Sequence, residues 1–534
     1  MFKTNKVCAG VAIAFGGLAA VLPALAQDAQ RIEITGSNIK RVDAETVSPV
    51  QVITAQDIER TGQPTAAEVL RRLPINTGSY SEQSTNSFAP GAAGVSLRGL
   101  GQKTTLVLLN GRRTAGCGFA QNLQDTFVDL NSIPAAAIDR IEILKDGASA
   151  IYGSDAIAGV VNIIMRKDYT GLQIQASGGS VESKSDYRAT LNTGFGDINK
   201  DGYNVFASVD LYHRDLLLQK DTEWFKTRDF RSVPGGRNYQ SLTGGGTWRQ
   251  LNAAGTAFTN NYKAITDCAA AGGVVMDVTQ AWNAGLAQGL VGATATLAAT
   301  QAALGASTFC TYDFGSQFTL LPKTDRIGTL VRATKNFSAT TTGFAELGFS
   351  RVDTVQTFQS TFFAGTTGLQ KTAAGLRPFV YNITFAPGVS GNPFSTYARY
   401  NGVFNDLGTR DSKIQSDTTR AVAGLTWALG SWDFDSAVGY SRNQVSNNYT
   451  NRATLNGTSA AFGVPTTAQP PTPISTSASY NLDRFTLNSA SLRSSMLANF
   501  ARVSTSELAF VDTRASTTLG QLPGGPIGLA VGAE

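Results

Sequence analysis

The stretch IEILKDGASAIYGSDAIAGVVNIIMRK, running from Ile141 to Lys167, reads as a strand, a glycine-punctuated loop and a second strand. Ile141, Ile143 and Lys145 alternate with Glu142 and Leu144, the pattern of a partly buried strand. Asp146-Gly147 is a turn signal, because Gly accepts positive φ and Asp hydrogen-bonds its own backbone. The loop Ala148–Ala158 mixes small residues with Tyr152, Gly153 and Asp155, and the β-branched run Gly159–Ile164 suits a strand buried on both faces.

These residues resemble the closing signature of the plug domain of TonB-dependent outer-membrane receptors. The match runs through Ile141-Glu142-Ile143-Leu144-Lys145, Ser149, Tyr152-Gly153-Ser154, Ala156 and Gly159 to Ile164. It departs at Asp146-Gly147-Ala148, where many members of that family carry Gly-Pro. Upstream, Arg98-Gly99, Leu106 to Arg113 and Val128 to Pro134 resemble further pieces of the same domain. The resemblance implies a mainly β protein: a small α/β plug inside a transmembrane antiparallel β-barrel.

Working outward toward the N-terminus, Met1–Ala26 has the form of a secretory signal peptide. Lys3 and Lys6 supply its positive start, Val7 to Leu22 its apolar core, and Ala24-Leu25-Ala26 its cleavage site. Removing it lowers the formal net charge from +5 to +3, so no strongly charged partner, and no nucleic acid, is indicated. Residues 27–46 are too short for a folded domain, and Arg31 to Ser37 alternates like an extended strand. By resemblance, Ile32, Glu33, Ile34, Thr35 and Gly36 occupy the place of the TonB box. TonB, with ExbB and ExbD behind it, captures such a box by adding it to a sheet edge, where main-chain hydrogen bonds give affinity. The bland reading of the same residues is a first strand that only packs on the plug.

The plug is expected over residues 47–167. Thr54 caps a helix ending near Gly62, and Thr65-Ala66-Ala67-Glu68 is a capping box opening a helix from Ala66 to Leu73. Val95–Gly99 and Thr105–Leu109 read as strands, the latter followed by the turn Asn110-Gly111. Pro134 suits the first turn of a short helix. Arg98, Arg112, Arg113, Lys145 and Asp146 are expected to pair at the boundary with the barrel lumen, since no glycine-rich turn feeds a helix N-terminus to make a phosphate cradle. Ser79–Ala93 and Arg113–Asp125 are the expected apical loops; Phe88 and Phe119 there either contact ligand or simply pack.

From Asp168 to Glu534 apolar and polar residues alternate, as in Tyr187, Ala189, Leu191, Thr193 and Phe195 against Arg188, Thr190, Asn192 and Gly194. Period-two alternation repeated along a chain, with outer-membrane lipid on the apolar side, is the mark of a transmembrane barrel. Composition agrees: only 16% of the 534 residues are charged, and 55 are Gly. Connections alternate between tight turns (197–202, 337–341, 428–431, 522–526) and long loops (216–325, 359–416, 445–506). About nine strands fit, where a barrel with a plugged lumen has about 22, so the barrel is expected to be incomplete and the chain the N-terminal part of a longer receptor. Cys268 and Cys310 bracket an Ala/Gly-rich stretch; a disulfide clamping a helical excursion is expected, with two free thiols or a metal pair as the alternative.

No acid–base pair, nucleophile triad or metal-ligand cluster stands out, so neither an enzyme nor a cofactor is expected. The resemblance implies active import of a scarce solute of the siderophore-iron, cobalamin or oligosaccharide class. The alternative is a passive porin or adhesin with a plug that is not energised.

Overall fold

The computed structural model describes residues 35–36, 50–84, 87–363, 366–372, 375–381, 384–462, 479–523 and 525–534. The expected signal peptide and Ile32, Glu33 and Ile34 of the expected box lie outside the described residues.

Around Ile141–Lys167 a small mixed sheet forms, with strands β1 (Val50–Thr54), β2 (Thr105–Leu109), β3 (Ile138–Leu144) and β4 (Gly159–Met165) in the order β1-β3-β4-β2. β2 runs parallel to β4, Thr105 opposite Gly159, and the other pairs are antiparallel. Every residue of β4 is buried, as its β-branched run requires. β3 differs from its reading: Ile141 through Leu144 are all buried, so the Glu142/Leu144 face is covered as well as the isoleucine face. The cover is Thr35–Gly36, where a Cβ on Gly36 would stand 3.0 Å from Leu144 Cδ2.

Two helices pack on this sheet. In α1 (Ala55–Thr61) Thr54 and Asp57 make a full capping box, and Gly62 closes the C-terminus at φ +65. In α2 (Ala66–Arg71) only half the expected box forms: Thr65 accepts from Glu68 N, while the Glu68 carboxylate turns to Arg71. That helix stops at Arg71, short of Leu73. The expected strand at Val95–Gly99 is a correction: this stretch makes a single bridge, Leu97 with Asn76, because Arg98 and Gly99 both take positive φ and break the ladder. Within the loop Ala148–Ala158 a helical turn, α3 (Ser149–Tyr152), is inserted.

Beyond the plug, a nine-stranded antiparallel sheet runs in sequence order from β5 (Gly171–Val181), β6 (Lys184–Phe195) and β7 (Tyr203–Arg214) through Lys323–Ser338, Thr341–Phe358, Arg410–Leu429, Trp432–Ala453 and Leu497–Leu522 to Gly525–Ala533. Its first and last strands do not pair with one another, so the sheet is not closed among the described residues. One face is apolar and exposed (Leu191, Phe195, Leu211, Leu347, Val438, Val511), whereas Thr190, Asn192, Asp210, Glu346, Arg420 and Asn443 are buried on the other. The plug sits on that polar face, and its core takes in Phe206 and Leu330 from the sheet.

Long and short connections segregate to opposite ends, apart from the tight β5–β6 turn at the long-loop end. The three long connections fold together rather than separately. Trp248, Phe385, Tyr400, Phe404, Phe462 and Tyr480 share one buried cluster with Cys268 and Cys310. Those cysteines are joined in a disulfide, Cα–Cα 5.7 Å, around two helices (Val278–Asn283, Leu297–Leu304) and a strand pair.

Candidate functional site: the plug–wall boundary and the N-terminal segment

The turn Asn110-Gly111 follows β2, both residues at positive φ (53 and 75), as a tight turn with this dipeptide demands. It thrusts Arg112 at the wall. Arg112 Nε lies 2.9 Å from Asp512 Oδ2 and Nη2 lies 2.7 Å from Asp435 Oδ1, with Arg112 and Asp512 both almost fully buried. Beside it, Asn110 Nδ2 donates to Glu346 Oε2 at 2.8 Å. Glu346 is also held by Arg332 at 2.9 Å and by Arg420, whose second nitrogen donates to the Leu109 carbonyl at 3.2 Å. Charges this deep persist because each is paired and hydrogen-bonded. The Arg332 guanidinium also lies 4.3 Å from the Phe344 ring centroid.

Of the charged residues expected at the boundary, Arg112 is the one at its centre. Arg98 donates to the Ala158 carbonyl inside the plug. Arg113 pairs with Asp155 and lies 3.7 Å from Glu534. The sequence did not reveal Arg112's partners, because they are more than three hundred residues away and ordinary polar-face aspartates in alternating strands.

Toward the long-loop end the apical segments are sealed to the wall. Ala115 N donates to Ser441 Oγ at 2.7 Å and Gly118 N to Asn443 Oδ1 at 2.8 Å. Glu82 pairs with Arg214 at 2.7 Å. Phe88 is 45% exposed, while Phe119 is buried with Ala89, Cys117, Phe127, Ile414 and Val445 and lies under the Arg502 guanidinium at 4.6 Å. Asp129, beneath these loops, is buried, which pushes its carboxyl up to about 6 despite hydrogen bonds from Ala93 N and Asn131 N.

At the short-turn end lies a polar cavity of ≈ 430 Å³, lined by Thr35, Asn110, Arg112, Asn162 and the turn residues Ile198 and Asn199 among others. Thr35 lies on its plug side, with Gly36 next to it in the chain. Thr35 Oγ1 donates to Glu142 Oε2 at 2.6 Å and accepts from Asn162 Nδ2 at 3.0 Å. Gly36 N donates to the Tyr152 hydroxyl at 3.1 Å.

Residues 42–160 match the family model described as TonB-dependent Receptor Plug Domain. The vitamin B12 transporter BtuB of Vibrio cholerae is 32% identical over 191 residues, an alignment covering 34% of this chain and 30% of that protein. The chain therefore matches less than a third of that relative's length. Among solved structures, a variant of the ferric enterobactin receptor PfeA of Pseudomonas aeruginosa is 12% identical, covering 91% of this chain and 58% of that one at a TM-score of 0.36. The ferric yersiniabactin uptake receptor FyuA of Yersinia pestis is 12% identical, covering 88% and 62% at a TM-score of 0.29. At such TM-scores those two likenesses carry no weight, and the family stands on the plug: residues 42–160 of this chain are a TonB-dependent receptor plug domain.

Proposed function

We propose that this chain works in the outer membrane as a receptor that imports a scarce solute when TonB, energised through ExbB and ExbD, pulls on residues 31–37. The observation that carries this reading is the plug itself, matched over residues 42–160 and seated on the polar face of an alternating antiparallel sheet. A plug held by buried ion pairs blocks its lumen and needs work to move; passive flow has no use for it. The apolar face of the sheet meets lipid, and residues 1–26 direct export. Phe88, exposed in the apical loop, is the ring that meets solute, while Phe119 is buried in the cluster with Ala89, Cys117 and Phe127. The solute belongs to the siderophore-iron, cobalamin or oligosaccharide class; the relative that aligns with 34% of this chain is a vitamin B12 transporter.

Single cysteines placed across residues 31–37 of the full-length receptor and tested for disulfide cross-linking to TonB in cells check this. Cross-links at alternate positions support strand addition and an energised importer. Their absence at every position, with plug and sheet intact, favours a passive porin or adhesin.

A further inference from the structure

Glu142 is buried at the centre of the plug sheet, and both of its oxygens are used. Oε1 accepts from Arg140 Nε at 2.8 Å, and Oε2 accepts from Thr35 twice, from N at 3.1 Å and from Oγ1 at 2.6 Å. A carboxylate withdrawn from water persists only with such partners. Thr35 is itself only 4% exposed. Gly36 sits at φ +97, a backbone conformation that strains any L side chain, and a Cβ there would crowd Leu144 Cδ2 at 3.0 Å. Asn162 is shared: its Nδ2 donates to Thr35 Oγ1 at 3.0 Å, and its Oδ1 accepts from Gly111 N at 2.9 Å, one residue before Arg112.

We propose that Glu142, Tyr152 and Asn162 form a socket that holds Thr35 and Gly36 on the plug, and that Asn162 ties this socket to the Arg112 ion pairs at the wall. The socket's role in transport rests on the proposed reading of residues 31–37 as TonB's grip. Glu142 and Asn162 stand opposite one another in the β3–β4 register. These are the inner strands of the sheet, so a pull on Thr35 enters across the central ladder and not at an edge. Strand addition then falls to residues upstream of Thr35, because Thr35 and Gly36 are engaged until the socket opens. Asn162 and Tyr152 line the polar cavity at the short-turn end, so water is at hand to replace the lost partners.

The test uses the full-length receptor in outer-membrane vesicles from cells lacking TonB, with a cysteine replacing Ile34 and a maleimide dye as reporter. Among the described residues Cys117 is buried and Cys268 and Cys310 are bonded to each other, and Cys8 belongs to the expected signal peptide, so the new thiol carries the signal. Thr35→Val keeps the shape and removes both side-chain hydrogen bonds; it is expected to speed labelling about tenfold, with Glu142→Gln following in the same direction. Asp512→Asn, which loosens Arg112 at the wall, is expected to speed labelling several-fold when Asn162 is present and to add nothing in an Asn162→Ala background. A parent that labels as fast as an unstructured peptide, or a Thr35→Val variant that labels at the parent rate while keeping heat-modifiable migration, overturns the socket. Acceleration by Thr35→Val but none by Asp512→Asn overturns the tie to the wall. Labelling needs no TonB, so failure of the cross-linking experiment leaves these rates to be judged alone.

Discussion

Gly159 stands at φ +132, where a Cβ would lie 2.4 Å from the Leu144 carbonyl oxygen and 2.8 Å from Leu97 Cδ1. Gly159→Ala is therefore expected to destabilise the plug by about 3 kcal/mol, combining backbone strain with overpacking against a backbone atom that cannot move aside. Urea unfolding of the plug in the solubilised chain, reported by a fluorophore on a cysteine at exposed position 60, measures the loss. Asp129 adds a pH dependence. Its folded carboxyl, raised by burial to about 6, holds a proton that the unfolded chain releases near the ordinary value of 3.8. Below that value both states are protonated; between about 4 and 6 only the folded state is, so this group's contribution to stability falls as pH rises through the window. Two units of difference correspond to an effect on the order of 3 kcal/mol at pH 7. Asp129→Asn keeps the Oδ1 acceptor for Ala93 N and Asn131 N, and is expected to match the parent at pH 4 and exceed it at pH 7. Equal midpoints at both pH values would contradict this. At this scale the glycine was visible in the G-V-V-N run, but the work of Glu142 and Asn162 was not. An acidic residue in a strand reads as solvent-facing until the segment that covers it is seen.

The elements that were legible are those whose signals are local. Thr54 and Gly62 bracket α1 because a cap needs only its own helix end. The tight turns at 197–202, 337–341 and 428–431 fall between strands as read, since turn chemistry is equally local. Val95–Gly99 misled because its hydrophobic alternation is real, while positive φ at Arg98 and Gly99 leaves room for a single bridge. The parallel pairing of β2 with β4 follows from tertiary closure and has no sequence mark. The same holds for the turn that aims Arg112: Asn110-Gly111 was legible as a turn, its targets Asp435 and Asp512 were not. Removing Arg112 takes the cation from both the buried Asp512 and the half-buried Asp435. Arg112→Ala is expected to weaken the plug's hold on the wall by about 3 kcal/mol. Asp512→Ala added to it is expected to recover part of that loss, giving a coupling of about 1–3 kcal/mol in a double-mutant cycle read by the same urea midpoints. Additive effects would mean that the two groups do not act as a pair.

Across the whole molecule, the alternation from Tyr187 to Tyr440 specified one apolar and one polar face, because a strand's side-chain period is fixed by its backbone. What it could not specify is that the three long connections fold as one body. Their shared core draws Trp248 from the first, Phe385, Tyr400 and Phe404 from the second, and Phe462 and Tyr480 from the third, residues that meet only after the sheet has brought the loop ends together. Thr266 and Asp267 of the first connection bond Asp483 and Thr486 of the third, the latter through Thr486 Oγ1 to Asp267 Oδ2 at 2.6 Å. The disulfide closes a separation of 42 residues inside this body, and loop-closure entropy for that length is worth about 4 kcal/mol in the chain-entropy account. Replacing both cysteines with Ser removes that restraint next to Trp248 and Phe385, whose rings lie 5.2 Å apart edge to face. Because the core is common property, the damage is expected to spread: protease added to cells carrying the variant should cut within 359–409 and 454–496 as well as within 269–309. Mapping the cut sites by mass spectrometry decides the matter. Cuts confined to 269–309 would mean that the disulfide clamps only its own excursion and that the long connections do not open as a unit.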